Sequence, residues 1–197
     1  LSRAERIDLC RKAAHWHAGQ NHSELAVRYA LFSGDMTFAA QIIEEAFNKN
    51  ETWSGGNLAE WLGWMEKLPP QAFEQHPELR LNASRVYYLS GRFEAAEAHL
   101  EQVENSLRNF SATNPDRQNH LRGVLALYRG ALASARGNAL EAIQQITIAR
   151  QTLPSDQILL HARALYALGM AHAVLAEDQS AIACYLQASQ YAQAAGV

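Results

Sequence analysis

The sequence predicts an all-α protein, an α-solenoid of antiparallel helical hairpins of the tetratricopeptide-like type. Alanine and leucine are the commonest residues, and Val, Ile and Thr are sparse, a balance that favours helices over sheets. The expected turn positions Gly91, Gly137 and Ala176 follow one another at intervals of 46 and 39 residues, with small residues at matching offsets around them. Such self-similarity is typical of helical hairpins that stack on copies of themselves.

Three helices are expected in the first quarter of the chain. Apolar residues recur at helical spacing over residues 2–18, from residue 21 or 23 to residue 32, and over residues 35–48. Gly34 stands where the second helix ends, and Asp35 stands where a carboxylate can cap the third. The spacing within the second and third helices echoes the later repeats, so they are expected to form a degenerate hairpin.

A loop and a short helix follow. Residues 50–57, with Gly55-Gly56, are expected to form the loop, and residues 58–67 the helix. Pro69-Pro70 end this helix, because proline lacks the backbone N–H and restricts the residue before it. Pro77 suits the first turn of the next helix, where the missing N–H has no partner to lose.

The rest of the chain is expected to form three hairpins. They pair residues 78–89 with 93–107, 117–135 with 139–151, and 156–176 with 179–194. Two polar breaks, Asn114-Pro115-Asp116 and Pro154-Ser155-Asp156, supply capping residues between them. We therefore expect a helical connector over residues 1–70 and tetratricopeptide-like repeats over residues 71–197.

Small residues mark the expected helix crossings. Gly130 and Ala142 share an offset within one predicted hairpin, and Gly169 and Ala181 share the same offset within the next. Helices approach closely only where side chains are small, so these four residues are expected to be buried where the helices of a hairpin cross. Ala142→Leu or Ala181→Leu is then expected to overpack the crossing.

Composition excludes several classes of function. The formal net charge is −3 and no run of Lys or Arg occurs, which argues against direct contact with nucleic acid or an anionic membrane. The two cysteines, Cys10 and Cys184, lie on apolar sides of expected helices, as free buried thiols in a reducing cytoplasm would. The most apolar stretch, residues 158–176, is interrupted by His and Arg, so a buried repeat helix is expected there and not a membrane span.

Two segments resemble a known family. The first contains Ala13-Ala14-His15-Trp16, Glu24-Leu25-Ala26-Val27-Arg28-Tyr29-Ala30 and Ser33-Gly34-Asp35, and the second contains Trp61-Leu62-Gly63-Trp64-Met65-Glu66-Lys67-Leu68-Pro69, His76-Pro77-Glu78-Leu79 and Leu89-Ser90-Gly91-Arg92-Phe93-Glu94-Ala95-Ala96-Glu97. Both are similar to the middle region of large ATP-binding LuxR-type transcription activators, the MalT-like group. In that family a nucleotide-binding module and a winged helix precede a helical arm and a tetratricopeptide-like sensor, and a C-terminal helix-turn-helix binds DNA.

The resemblance implies a connector and the start of a sensor domain. It implies that ATP binds only in an N-terminal module outside this sequence, so that no cofactor belongs to this part. It also implies a small-molecule inducer or partner protein as ligand, and self-association of the parent protein. The chain starts with Leu1 inside a helical pattern, and we therefore expect it to be part of a longer polypeptide.

Motifs for catalysis or metal binding are not found in the sequence. None of the three lysines follows a glycine, so no phosphate-binding loop of the Gly-Lys-Ser/Thr type is present. His161 and His172 lie three helical turns apart, about 16 Å, which is too far to share one metal ion. Glu44 and Glu45 suit a solvated helix face better than acid–base chemistry. We expect the protein not to be an enzyme.

Tryptophans concentrate near the predicted loop and short helix. Trp53, Trp61 and Trp64 are expected to pack a junction between the connector and the repeats, with an exposed hot spot for a partner domain as the alternative.

A ligand groove is expected on the first helices of the hairpins. The candidate residues are Arg85, Tyr88, Leu127, Ser134, Arg163, Tyr166 and Met170. Arg, Tyr and aliphatic side chains together suit a small polar inducer or a peptide. The alternative for each residue is packing against the next helix. A generic tetratricopeptide adaptor or co-chaperone that binds a peptide or partner protein is the alternative function.

Overall fold

The computed structural model describes residues 2–49, 58–109 and 114–196. All regular elements in these ranges are helical, and no strand occurs among them, so the prediction of an all-α protein is confirmed. The chain divides into two compact units, Leu1–Ser90 and Gly91–Val197. The predicted connector lies within the first unit. The predicted repeats begin in the first unit and continue through the second.

The helices of both units begin and end within a few residues of their predicted positions. The first unit contains α1 (Arg3–Gly19), α2 (Ser23–Phe32), α3 (Met36–Lys49), α4 (Leu58–Met65), a 3₁₀ helix (Pro70–Phe73) and α5 (Pro77–Leu89). The second unit contains α6 (Phe93–Asn109), α7 (Pro115–Ala135), α8 (Ala139–Thr152), α9 (Ile158–Val174) and α10 (Asp178–Ala194). The 3₁₀ helix was not predicted, because Pro69-Pro70 were interpreted only as the end of the preceding helix.

Side-chain caps explain several helix starts. The backbone N–H of Phe38 donates to Asp35 Oδ1 at 3.0 Å, so the predicted cap of α3 is confirmed. Asn114 caps α7 in the same way, through the N–H of Arg117 at 3.1 Å. The predicted break Pro154-Ser155-Asp156 precedes α9, whose N-cap residue is Gln157 and has no side-chain capping hydrogen bond.

Aromatic side chains and one carboxylate hold the first unit together. The rings of Phe47 and Trp61 lie 3.8 Å apart between centroids, and Trp61 and Trp64 make an edge contact at 4.7 Å. Glu44 on α3 accepts hydrogen bonds from His76 Nδ1 at 2.8 Å and from the N–H of Leu79 at 3.1 Å. The expectation that Glu44 lies on a solvated face is therefore wrong, because its carboxylate caps the start of α5.

Helices of the second unit pack in sequence order. Helix α7 packs along α8, α9 packs along α10, and α9 also contacts both α7 and α8. The turns inside these two helix pairs have left-handed backbone at equivalent places, Gly137 with φ +78° and Ala176 with φ +57°. This conformation lets the chain reverse direction after the first helix of each pair. The predicted turn positions are confirmed.

Small residues lie at the helix crossings, as predicted. Gly130 is buried, and a Cβ there would lie 2.6 Å from Ile146 Cδ1 on α8. Gly169 is buried in the same way against Tyr185 on α10. Ala142 and Ala181 are also buried. The crossing at Gly123, where a Cβ would lie 2.8 Å from Leu153 Cδ2, was not predicted.

Candidate functional site

Two residues of the expected ligand groove belong to the protein interior. Leu127 is 1% exposed, and Ser134 is 3% exposed with its Oγ donating to the carbonyl oxygen of Ala167 at 3.0 Å. Both lie on the same side of α7, and α9 packs against α7. The expectation that Leu127 and Ser134 line an open groove is therefore corrected: this side of α7 is covered by the next helix.

The other five candidate residues are divided between the two units. Arg85 and Tyr88 lie on α5 in the first unit, whereas Arg163, Tyr166 and Met170 lie on α9 in the second. Tyr166 is 57% exposed and its ring lies 5.5 Å from that of Tyr185. Arg85, Tyr88 and Arg163 are half-buried and interact with other groups of the protein. A binding role for these five residues stays a prediction.

An open cleft lies instead on another side of α7. It encloses about 410 Å³ between α6, α7 and α8. Its apolar floor consists of Leu100, Leu132 and Ala133. Its polar lining consists of Glu97, Glu101, Arg129, Arg136, Asn138, Glu141 and Gln145. An apolar floor with a few convergent polar groups is the usual form of a ligand site.

Two ion pairs in antiparallel register join α6 and α7 at this cleft. Arg136 Nη1 donates to Glu97 Oε2 at 2.6 Å, and Arg129 Nη2 donates to Glu104 Oε2 at 2.8 Å. Arg129 lies on α7 and Arg136, seven residues later, is the C-cap residue of the same helix. The two glutamates are seven residues apart on α6. A spacing of seven is two helical turns, so each helix presents its charges on one face. The guanidinium groups are thereby held in place beside the cleft.

The electrostatics of the cleft are balanced. The hydrogen bond from Arg129 holds the pKa of the Glu104 carboxyl below its ordinary value of 4.5, and Arg108 adds a weaker effect of the same sign. Three carboxylates and two guanidinium groups line the cleft itself. Among the residues that the structure describes, Glu101 makes no hydrogen bond or ion pair with another side chain. The arrangement can therefore offer both a donor fork and a carboxylate to a polar ligand.

Sequence reasoning missed this cleft, although the sequence contains a signal for it. Matched seven-residue spacings of Glu on one predicted helix and Arg on the next are typical of neighbouring antiparallel helices joined by ion pairs. Glu97 Oε2 accepts from Arg136 Nη1 at 2.6 Å, and the highly exposed Glu94 makes a longer ion pair with the same arginine, 3.9 Å between Oε1 and Nη2.

A second cleft of about 410 Å³ lies in the first unit, between α2 and α4. Its apolar wall contains Leu31, Phe32 and Trp64, and its charged lining is Glu24, Arg28, Glu60 and Lys67. Arg28 Nη2 donates to Glu24 Oε1 at 2.9 Å. Burial raises the pKa of the Glu60 carboxyl, and repulsion from Glu24 raises it further. The charged form of the Glu60 carboxyl is therefore less favourable here than in water.

The histidines and cysteines do not form a reactive cluster in the described ranges. His15 packs on Phe38 and His17 stacks on Tyr29, so the two rings have separate neighbours. Among the described residues no group of three His, Cys, Asp or Glu side chains could hold a metal ion. Cys10 and Cys184 are free and half-buried, and burial raises the pKa of the Cys184 thiol.

Trp61 and Trp64 are buried, which supports their expected role as packing residues. Trp53 lies outside the described residues.

None of the helices described here combines the length and apolar character that crossing a bilayer requires. A comparison with protein-family models finds no match. No curated protein matches the chain either.

Proposed function

We propose that the protein is a non-catalytic scaffold that senses a ligand or partner protein through a tetratricopeptide-like solenoid. The observation that carries this proposal is the cleft between α6, α7 and α8, with its apolar floor and its two arginines held by glutamates. A cleft of this kind suits recognition, because its charged groups are already paired and oriented. We place the protein in the cytoplasm, in accord with its two free thiols.

The repeated geometry of α7–α8 and α9–α10 supports the solenoid. Both pairs have a glycine at the crossing, Gly130 and Gly169, and a left-handed turn residue 39 positions apart, Gly137 and Ala176. Helix α9 covers the preceding pair, as successive hairpins do in repeat proteins.

On this proposal the chain is a sensor region of an ATP-dependent LuxR-type regulator. The resemblance of its residues to the MalT-like group is the basis for that assignment. A module elsewhere in the parent protein would bind ATP and another would bind DNA, and the parent would self-associate. This region would contribute binding without chemistry.

The cleft favours a polar ligand that has both an acceptor and a donor end. Arg136 can add a second acceptor because a guanidinium has five N–H donors and only some of them face Glu97. Glu101, one helical turn from Glu97 on α6, can accept from an ammonium or hydroxyl group. The apolar floor of the cleft suits a short aliphatic body. Amino acids, short peptides and hydroxy acids have this chemistry.

A thermal-shift screen tests the proposal. Purified protein is heated with amino acids, hydroxy acids, dicarboxylates and di- to tetrapeptides, and hits are confirmed by calorimetry. Binding to the folded state raises Tm with ligand concentration. We expect Arg136→Ala to abolish the shift and Arg150→Ala, an exposed arginine of α8 outside the cleft, to leave it unchanged. Equal shifts in both variants would remove the cleft from the proposal.

A second candidate is a tetratricopeptide adaptor that grips the free carboxylate of a peptide. Asn138 lines the cleft beside Arg136, and an amide next to a cation is the kind of pair that such a grip uses. The two candidates differ in their response to the peptide terminus. An adaptor would bind a peptide with a free C-terminus and reject the same peptide as its amide, whereas a sensor of small ligands would prefer neither.

A further inference from the structure

The cleft of the first unit is formed by two helix faces with the same spacing. The lining residues follow one another at intervals of four and three, both on α2 and along α4 into the turn after it: Glu24, Arg28 and Leu31, and Glu60, Trp64 and Lys67. These intervals place side chains on one face of a helix. Helix α2 packs on α1 and α3, and α4 packs on α5. Neighbouring helices of the first unit therefore hold both walls of the cleft in place.

Glu60 is the charge in this cleft that lacks compensation. Its side chain is half-buried, and among the residues that the structure describes it makes no hydrogen bond or ion pair. The nearby Glu24 is already paired, because its Oε1 accepts from Arg28 Nη2 at 2.9 Å. Burial and repulsion from Glu24 raise the pKa of Glu60, and attraction by Arg28 offsets only part of that effect. A cation in the cleft would relieve both causes.

The two cations of the cleft are in a different situation. Arg28 bonds to Glu24, and both Arg28 and Lys67 are exposed to solvent. Water already solvates these groups, so an anionic ligand gains little from replacing it. Such a ligand would also add a negative charge near Glu60. The charges of the cleft therefore favour a cationic ligand over an anionic one.

An apolar wall lies one helical turn from the charges. Phe32 follows Arg28 by four residues, about 6 Å along α2. Its ring is 70% exposed, and it lines the cleft together with Leu31 and Trp64. An exposed aromatic ring in a cleft offers a surface on which a second ring can stack. A ligand that contacts both Glu60 and Phe32 needs an apolar body about 6 Å from its charged nitrogen.

We propose that the cleft between α2 and α4 binds a primary amine, whose ammonium group pairs with the Glu60 carboxylate while an aromatic body packs on Phe32. An ammonium has three donors, and Glu24 can accept one of them through Oε2. The site belongs to the first unit and uses no residue of the cleft between α6, α7 and α8. It is a second binding site, independent of the one that carries the proposed function.

Calorimetry with four probes tests the ligand class. The probes are 2-phenylethylammonium, ethylammonium without the ring, 2-phenylethanol without the charge, and 3-phenylpropionate with the opposite charge. We expect 2-phenylethylammonium to bind with a Kd of about 0.1–1 mM, as suits a ligand of roughly nine non-hydrogen atoms. Each of the other three should bind at least about tenfold more weakly, because it lacks one of the two contacts.

Two variants test the two contacts. Glu60→Gln keeps the shape of the side chain and removes its charge, so it should weaken binding of 2-phenylethylammonium at least about tenfold. Phe32→Ala should weaken it about three- to tenfold. The matched controls lie in the first unit outside the cleft: Glu74→Gln removes an exposed carboxylate, and Trp16→Ala removes an aromatic ring that is 60% exposed. Circular dichroism and Tm establish that each variant is folded.

Each of the other outcomes contradicts the proposal. Tighter binding of 3-phenylpropionate would assign the cleft to anions held by Lys67. Equal affinity for ethylammonium would remove Phe32 from the site. Equal weakening by Glu60→Gln and Glu74→Gln would show only a general attraction to an acidic chain, and no binding in the millimolar range would leave the cleft without this ligand.

A further variant separates this site from the cleft of the second unit. Arg136→Ala is expected to bind 2-phenylethylammonium as wild type does, because Arg136 lines only the cleft between α6, α7 and α8. Loss of binding in Arg136→Ala, with Glu60→Gln unaffected, would transfer the amine to that cleft and overturn the assignment to Glu60.

Discussion

Gly169 lies so close to Tyr185 that a Cβ on Gly169 would stand 2.6 Å from Tyr185 Cε1. The phenol ring occupies the space that a methyl group would need, and burial raises the pKa of the Tyr185 hydroxyl. One hairpin earlier, Gly130 and Ile146 are related in the same way, again at 2.6 Å. Each hairpin is thus closed by a glycine on its first helix and a large side chain on its second.

Gly169→Ala is therefore expected to destabilise the protein. The added methyl group has to displace Tyr185, and overpacking of this kind costs about 1–3 kcal/mol. Urea unfolding measures the change. The control is Gly63→Ala in α4, where a Cβ would meet nothing within 4 Å and removal of a helical glycine should stabilise by about 0.5–1 kcal/mol. Opposite signs for the two variants are the expected result.

Positions 127 and 166 occupy equivalent places in successive hairpins and are expected to respond differently to truncation. Leu127→Ala should cost about 2–5 kcal/mol, because it leaves a cavity in the interior. Tyr166→Ala should cost less than about 1 kcal/mol, because the tyrosine is largely exposed. Both are compared by urea unfolding. Equal losses would contradict the assignment of Tyr166 to an uncovered face.

The turn residue Ala176 adopts a left-handed conformation that costs an L-residue about 1–2 kcal/mol. Ala176→Gly is expected to stabilise the protein by about 0.5–1 kcal/mol, after the greater chain entropy of glycine is subtracted. Gly137→Ala, at the equivalent turn with open space around it, should destabilise by a similar amount. A pair of Tm values that move in the same direction would contradict this account of the turns.

The Arg129–Glu104 pair is expected to make stability depend on pH in a defined direction. The pKa of Glu104 is lower in the folded protein. The contribution of Glu104 to the free energy of unfolding is therefore complete above its ordinary pKa of 4.5, and it disappears as the pH falls through the lowered pKa. Glu104→Gln should cost less than about 1 kcal/mol at pH 7, since the carboxylate is partly solvated, and nothing once wild type is protonated.

Glu60 is expected to have the opposite effect. The pKa of Glu60 is raised in the folded protein by burial and by Glu24. The contribution of Glu60 to the free energy of unfolding is therefore complete below its ordinary pKa of 4.5, and it is lost as the pH rises through the raised pKa. Glu60→Gln stays neutral at every pH and should therefore have a higher Tm than wild type at pH 7. The two Tm values should converge in acid. A lower Tm at pH 7 would show that Glu60 is stabilised by its surroundings.

The sequence by itself determined the helices and their turns. Periodic apolar residues, Pro77 at a helix start and glycine at positions 34, 91 and 137 act through local backbone geometry, which neighbouring residues decide. The small crossing residues were also predictable, because close helix contact leaves room only for glycine or alanine. Local geometry of this kind can be predicted from the sequence without knowledge of the tertiary contacts.

Only the tertiary structure decided which helix faces are covered. Leu127 and Tyr166 occupy equivalent places in the repeat, yet one is buried and the other exposed. The difference comes from α9, which packs on α7 although the two helices are far apart in sequence. The apolar periodicity within one helix does not show which other helix will cover it. The Glu44 cap of α5 and the ion pairs at the cleft arise in the same way. Burial and pairing depend on the neighbour across the contact, whereas helix formation depends on the neighbour along the chain.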